Sequence, residues 1–518
     1  MRPFPTAFRA LLRLPTALAV VLLVTACAGL PPKPDTPPST ALPPGETTRL
    51  DRAIAPEVAR QPGRAGVVPL AEGREAFAAR VLIAEAAERS LDIQVYIWHG
   101  DTTGVLMFEV ARRAAERGVR VRLLLDDNNT AGLDPLLAML DAHPNLEVRL
   151  FNPFVQRRMR PLGYATEFSR LNRRMHNKSF TADNRVTIVG GRNIGDEYFA
   201  AGQDASFADL DVIAAGDVVR EVSASFDRYW NSASAYPLSA VAGAVGPMDA
   251  ADFAARIERI RNDPASEAYR RAVRDTPLVR DLLAGQRHWH WGPTRLVVDD
   301  PAKVLNPPER DDLQMLPALN AALGEPQRQL DLVSPYFVPG EEGTKALVAL
   351  ANRGVRVRLL TNSLAATDVA AVHAGYAKRR EDLLRGGVRI YELKPLPGAE
   401  VAPTRADGWG GSSRASLHAK TFAVDRERIF VGSFNLDPRS ARLNTEMGLV
   451  IDNPALAGQL ADGLDRIAPA GAYEVTLDDG DLRWADPPSP ALRTEPETGF
   501  LRRATVRFMS WLPIEWML

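Results

Sequence analysis

The chain has 518 residues, 46% hydrophobic and 25% charged, with 63 Lys+Arg against 64 Asp+Glu for a formal net charge of -1. That balance suits a large globular protein of several domains and excludes a disordered chain or a fibrous repeat. A single cysteine excludes an internal disulfide framework and any thiolate-built metal site, and near-neutrality gives no global pull towards nucleic acid.

Residues 1–26 hold Arg2, Arg9 and Arg13 but no acid, with an apolar run from Ala17 to Val24. Too short to span a bilayer comfortably, this run reads as a secretory signal. Val24-Thr25-Ala26-Cys27 resembles a bacterial lipoprotein box, which makes Cys27 the expected lipidation site and first mature residue. Cleavage there leaves 60 basic against 64 acidic residues, a net of -4. Residues 27–69 read as a lipidated, proline-rich tether. Together these features predict a lipid-anchored, membrane-associated protein on the periplasmic side, with inner and outer membranes both open.

Beyond the tether the chain is a duplication. Arg117-Gly-Val-Arg-Val-Arg-Leu-Leu124 recurs unchanged at Arg353 to Leu360. Leu91-Asp-Ile-Gln-Val-Tyr-Ile97 precedes the first copy as Leu330-Asp-Leu-Val-Ser-Pro-Tyr336 precedes the second, and Leu146 to Leu150 matches Gly387 to Tyr391. Strand, helix, strand in each copy predicts an α/β fold with a mixed sheet flanked by helices. The expected order is an N-terminal lobe at 70–240, a helical connector at 241–299 and a C-terminal lobe at 300–470. Residues 471–518 complete it with a hairpin around Asp479-Gly480 and a basic, aromatic terminal segment. His288-Trp-His-Trp291 has the spacing of a metal-ligand pair without a third ligand nearby, and reads as an aromatic strand feeding the second lobe.

Each lobe runs into one motif. Met175-His-Asn-Lys-Ser-Phe-Thr-Ala-Asp183 and Leu417-His-Ala-Lys-Thr-Phe-Ala-Val-Asp425 both obey His-x-Lys-x4-Asp. Gly190-Gly-Arg-Asn193 and Gly432-Ser-Phe-Asn435 follow at matching distances. Residues i and i+2 of a strand face one way, so His176 and Lys178 share a face, as do His418 and Lys420. An imidazole beside an ammonium suits a phosphodiester, one for proton or covalent chemistry and one for the anionic oxygens.

These paired motifs resemble the phospholipase D superfamily, whose two copies meet across a pseudo-two-fold interface to form one active site. The resemblance implies a two-step displacement with His176 as nucleophile and His418 as acid then base; substrate bound in reverse would exchange the roles. It implies that Lys178 and Lys420, with Asn193 and Asn435, hold the non-bridging oxygens. Asp209 and Glu446 would orient the histidines, with Asp211 also open beside Asp209. Asp183 and Asp425 belong to the motif's catalytic set, although a carboxylate at a strand end also suits fixing the turn. No cofactor and no metal are implied.

Tyr96 to Gly104, Leu123 to Asn129, Asn172 to Lys178, Gly190 to Phe199 and Pro513 to Trp516 are similar to bacterial cardiolipin synthases, the C-type group above all. That implies transfer of a phosphatidyl group to phosphatidylglycerol; a phospholipid hydrolase, or an exported phosphodiesterase or nuclease, are the alternatives. Anionic phospholipids and a membrane surface are the expected partners. Nucleic acid is not expected, and no protein partner is assigned. Two local features agree with lipid. Arg157, Arg158, Arg160, Arg170, Arg173, Arg174 and Lys178 face only Glu167, a net of +6 beside the first motif. Phe500 to Leu518 mixes three arginines with Phe508, Trp511 and Trp516, as suits a membrane interface.

Overall fold

The computed structural model describes residues 29–199, 208–243, 245–286, 288–395 and 417–518, so the signal segment and Cys27 lie outside the described residues. Among these, the first half builds a nine-stranded sheet from β1 (Ala65–Leu70), β2 (Ser90–Val95), β3 (Arg120–Asp126), β4 (Leu146–Phe151), β5 (Ser179–Ala182), β6 (Val186–Gly190), β7 (Asp211–Ala215), β8 (Ala235–Pro237) and β9 (His290–Gly292). The second builds a ten-stranded sheet from β10 (Thr294–Val298), β11 (Gln329–Val333), β12 (Arg356–Asn362), β13 (Arg389–Leu393), β14 (Lys420–Val424), β15 (Arg428–Gly432), β16 (Met447–Asp452), β17 (Ala472–Asp478), β18 (Asp481–Asp486) and β19 (Ser489–Leu492). The spatial orders β4-β3-β2-β5-β6-β7-β1 and β13-β12-β11-β14-β15-β16-β10 are the same arrangement, three parallel strands continued by antiparallel ones.

Helix α1 (Thr102–Glu116) is the crossover from β2 to β3, and α2 (Asp217–Asn231) follows β7. In the second half α3 (Gly340–Asn352) crosses from β11 to β12, α4 (Ala370–Arg385) joins β12 to β13, and α5 (Pro454–Gly471) follows β16. Helix α6 (Phe500–Ser510) lies near the end of the chain. Covered on both faces, β2 and β3 bury almost every residue. That burial explains the unchanged Arg-Val-Arg-Leu-Leu. Arg122 on β3 is 1% exposed and grips its cross-strand neighbour Asp92 through two bonds of 2.7 Å. Arg358 on β12 grips Asp331 on β11 in the same register, at 2.6 Å. Either charge left alone in such a place would cost several kcal/mol, on the order of 3–5, so the pair is kept in both copies.

The two halves share a core. Val67 on β1, Val189 on β6 and Val212 on β7 pack with Ile429 and Val431 on β15 and with Leu449 on β16, all buried. Helices α2 and α5 add Val219 and Leu456 to the same cluster. One apolar layer therefore holds the two motif-bearing sheets face to face.

Three expected boundaries shift. The described part of the expected 27–69 tether is not free: Lys33 Nζ donates to Ser232 O, the backbone N–H of Ala41 donates to Asp227, and Arg122 donates to Ser39 O. Strand β1, which begins inside that span, is part of the first sheet, because Val67 on one face and Val68 and Leu70 on the other are all buried there beside β7. Likewise the hairpin of β17 and β18 is an extension of the second sheet, since β17 pairs with β13. The connector is helical to Leu283 and then divides, β9 joining the edge of the first sheet and β10 the edge of the second. Trp289 and Trp291 of the aromatic strand lie against Gly66, where a Cβ would meet each ring at 2.9 Å.

Asp183 and Asp425 belong to this framework and correct the expectation that placed them with the catalytic groups. Each sits at positive φ, 51° and 55°, where the chain turns out of its motif strand. The Asp183 carboxylate accepts from the backbone N–H groups of Glu88, Arg89 and Ser90, and Asp425 accepts from Gln327, Arg328 and Gln329. Burial alone would raise the Asp425 carboxyl, but these three donors hold it below its ordinary value. Seven residues beyond the histidine, at about 3.3 Å per residue, each aspartate is roughly 20 Å along the strand from the chemistry. Asp183→Ala strands three N–H donors and should lower the unfolding free energy by about 2–4 kcal/mol in urea denaturation. Asp183→Asn keeps an acceptor and a residue tolerant of positive φ, and should lose less than half of that.

Candidate active site

Both histidines enter the site on bridges between the halves. The backbone N–H of His176 donates to Thr445 O at 2.8 Å, and that of His418 donates to Ala208 O at 2.9 Å. Met175 with Thr445 and Ala208 with Leu417 form matching parallel bridges. The carboxylates cross over as a result. His176 Nδ1 lies 2.7 Å from Glu446 Oε2, and His418 Nδ1 lies 2.6 Å from Asp209 Oδ2. Each half thus supplies the acceptor that orients the other half's imidazole, and the reactive work falls to Nε2.

Lys178 and Lys420 are buried two residues beyond their histidines, Lys178 just before β5 and Lys420 at the start of β14. Lys178 Nζ donates to His176 O at 2.6 Å and Lys420 Nζ to His418 O at 2.5 Å. Asn193 and Asn435 follow the neighbouring strands β6 and β15, both buried. The backbone N–H of Ile97 donates to Asn193 Oδ1 at 3.1 Å, which fixes the direction of that amide's donors. Aromatic edges flank the pair: Tyr96 sits 4.9 Å from the His176 ring and Tyr198 sits 5.2 Å from the His418 ring.

Sequence reasoning missed what the residue after each glycine does. Gly191 faces Asp209, and a Cβ there would lie 2.2 Å from Asp209 Oδ1. Its counterpart Ser433 instead donates through Oγ to Glu446 Oε2 at 2.5 Å, while Ser433 O lies 3.1 Å from His176 Nδ1. The mismatch between Gly-Gly and Gly-Ser in the repeat was the available signal. Asp299 supports Glu446 from behind by accepting from its backbone N–H at 2.7 Å and pairing with Lys303 at 3.0 Å. Asp211 is a structural anion, paired with Arg80 at 2.8 Å and with Arg192 at 3.4 Å.

Burial decides the electrostatics. It lowers Lys178 to about 7 and Lys420 to about 8. Burial and then the lysines push His176 well below its ordinary value, and burial and Lys420 push His418 to about 4. Since Lys420 acts on His176 and Lys178 acts on His418, the four groups form one site. The two carboxylates differ. Burial raises Glu446 to about 7. At Asp209 burial is outweighed by His418, Arg192 and Lys420, which hold the carboxyl below its usual range. The site therefore combines imidazoles whose protonated forms burial disfavours, a carboxylate held ionised at Asp209 and two readily titrated cations, a basin suited to an anionic phosphodiester.

The basic run beside the first motif is a correction. Arg157 pairs with Asp127 and Asp134, Arg160 with Asp127, Arg170 with Glu167, and Arg174 with Asp126. Three aspartates from β3 and the segment after it face the run, reducing its net of +6 to +3, so these arginines serve chiefly as internal braces.

The family described as "Cardiolipin synthase, PLD-like domain" matches residues 81–230 and 319–468, more than half of the chain. Cardiolipin synthase C of Escherichia coli (strain K12) is 48% identical over 479 residues, 91% of this chain and 100% of its own. Cardiolipin synthase B of Shigella flexneri is 26% identical over 412 residues, 76% of this chain and 78% of its own. A crystal structure of phosphatidylserine synthase from Haemophilus influenzae Rd KW20 aligns with a TM-score of 0.57 at 14% identity, covering 91% of this chain and 100% of that one, and so shares the fold. With two family matches, one enclosing each His-x-Lys-x4-Asp motif or its greater part and together most of both sheets, the chain belongs to the phospholipase D-like cardiolipin synthase family.

Proposed function

We propose that the chain is a phosphatidyltransferase that makes cardiolipin from phosphatidylglycerol. The observation that carries this is the pair of buried histidines, each held at Nδ1 by a carboxylate from the opposite half, inside a basin with two lysines. His176 Nε2 attacks phosphorus as the bond to the donor's head-group oxygen breaks, and His418, which takes up a proton as the anionic phosphodiester binds beside Asp209, delivers it to that oxygen. His418 then takes the proton from a hydroxyl of phosphatidylglycerol, whose oxygen attacks the phosphohistidine and frees His176. Lys178, Lys420, Asn193 and Asn435 receive the non-bridging oxygens as charge gathers on them. The ionised Asp209 favours the protonated form of His418 more than Glu446, whose carboxyl burial raises to about 7, favours that of His176, which supports His418 as acid.

Relatives named cardiolipin synthases support the substrate class. A signal segment with a lipid on Cys27, outside the described residues, would hold the enzyme to a periplasmic membrane face. Among the described residues no helix is long and apolar enough to cross a membrane.

With phosphatidylglycerol vesicles and lipid products followed by mass spectrometry, His176→Ala and His418→Ala should each abolish cardiolipin formation. Free phosphatidic acid in place of cardiolipin from the unaltered protein would point to a hydrolase, and cleavage of single-stranded DNA to a nuclease. Asp209→Asn should reduce kcat by about 10²–10⁴-fold, and Glu446→Gln by at least tenfold less, because burial raises the Glu446 carboxyl to about 7 whereas Asp209 is held ionised. The pH profile follows from the lysines, whose lowered values mean that the cationic forms are lost as pH rises through about 7 to 8. kcat/KM should therefore fall on the alkaline side from about pH 7, and Lys420→Arg, permanently charged, should shift that limb upward in any variant that retains turnover.

A further inference from the structure

Large apolar side chains left in water are concentrated at one place. Phe500, Leu501, Phe508, Trp511 and Trp516 are between 59% and 80% exposed, all within α6 and the short segment after it. At 100° per residue, Val506 and Met509 mark one side of α6, where they pack with Leu364 and Ala374. Phe500, Leu501, Phe508 and Trp511 lie on the opposite side, within an arc of roughly 100°. A helix already docked on its protein ordinarily turns polar residues outward. This one has a second apolar face, bordered by Arg507 and Arg503.

The helix is also tied to the wall of the active site. Arg502 donates to Thr367 O at 2.6 Å. The next residue, Asp368, accepts from Tyr336 Oη at 2.9 Å and lies within electrostatic reach of Lys420. After the helix, Ile514 and Leu518 pack with Tyr336 and Val338. Leu518 O accepts from the backbone N–H of Arg439, whose guanidinium donates to Asn172 O at 2.9 Å, four residues before His176. The segment thus sits between the exposed apolar ridge and both halves of the site.

We propose that the outer face of α6 and Trp511–Trp516 is an interfacial docking surface for an anionic phospholipid bilayer, which seats the catalytic basin against the membrane that carries its substrate. The apolar ridge enters the head-group and upper acyl region, and Arg503 and Arg507 meet lipid phosphates. An anionic bilayer fits this surface because the ridge is bordered by cations and because the substrate class proposed above is an anionic lipid, a reading on which this inference rests.

The full chain carrying Cys27→Ser has no other cysteine, so Trp511→Cys in that background accepts one environment-sensitive fluorophore. On phosphatidylglycerol vesicles its emission should shift to the blue and be quenched by lipids brominated in the upper acyl chain. A label at exposed Ser489, made in the same way, should stay water-like. Emission at position 511 that remains water-like on vesicles would overturn the proposal. As a second measurement, replacing Phe500, Leu501, Phe508 and Trp511 by serine should reduce cardiolipin formation on vesicles at least tenfold. Activity towards monomeric short-chain phosphatidylglycerol should stay within twofold. Equal loss on both substrates would assign the residues to internal packing and overturn docking; label insertion without any lipid turnover would leave docking standing and sink the proposed activity instead.

Discussion

Everything in this molecule depends on an exchange of carboxylates across one interface. Glu446 of the second half orients His176 of the first, and Asp209 of the first orients His418 of the second. Neither half alone contains an oriented imidazole. The apolar layer of β1, β6, β7, β15 and β16 is thus part of the catalytic apparatus: a shift of an ångström between sheets would lengthen two hydrogen bonds of 2.6–2.7 Å at once. The bridges at Met175–Thr445 and Ala208–Leu417 pin the backbone where those bonds form.

The near-symmetry also explains how one site can hold unlike roles. A shorter Asp209 comes with Gly191, where no side chain fits, while a longer Glu446 comes with Ser433, whose hydroxyl is used as a donor. Arg192 donates to Asp209 O at 2.7 Å and favours the ionised side chain. Glu446 instead has a serine hydroxyl and a buried Asp299 behind its backbone. Duplication supplies the frame, and these local differences favour the protonated form of one imidazole over that of the other.

Much of this was legible in the amino-acid string because the duplication is written in buried strands. Arg122 and Arg358 cannot change while Asp92 and Asp331 remain, so the repeat stays visible, and His-x-Lys follows from the two-residue period of a strand. Three-dimensional partnership was not legible. The exchange of Asp209 and Glu446 requires knowing that the second sheet faces the first. The apparent cationic run at 157–178 looked unpaired because its aspartates, Asp126, Asp127 and Asp134, lie some thirty residues earlier. Proline in the 30–45 region suggested a free spacer, whereas Ser39 and Ala41 use backbone groups to bind α2 and Arg122.

That strapping bears on where the enzyme can act. From Lys33 onward the strand of chain is fastened to the first half, leaving five residues between it and Cys27. The six Cα steps from Cys27 to Lys33 reach at most about 20 Å. Were Cys27 lipidated, Lys33 would stay within that reach of the anchoring leaflet. A protein so held would work in cis, on the leaflet that carries its own anchor. Its products would accumulate in that same leaflet, so the choice of membrane made when Cys27 is sorted would also decide which bilayer receives the lipid.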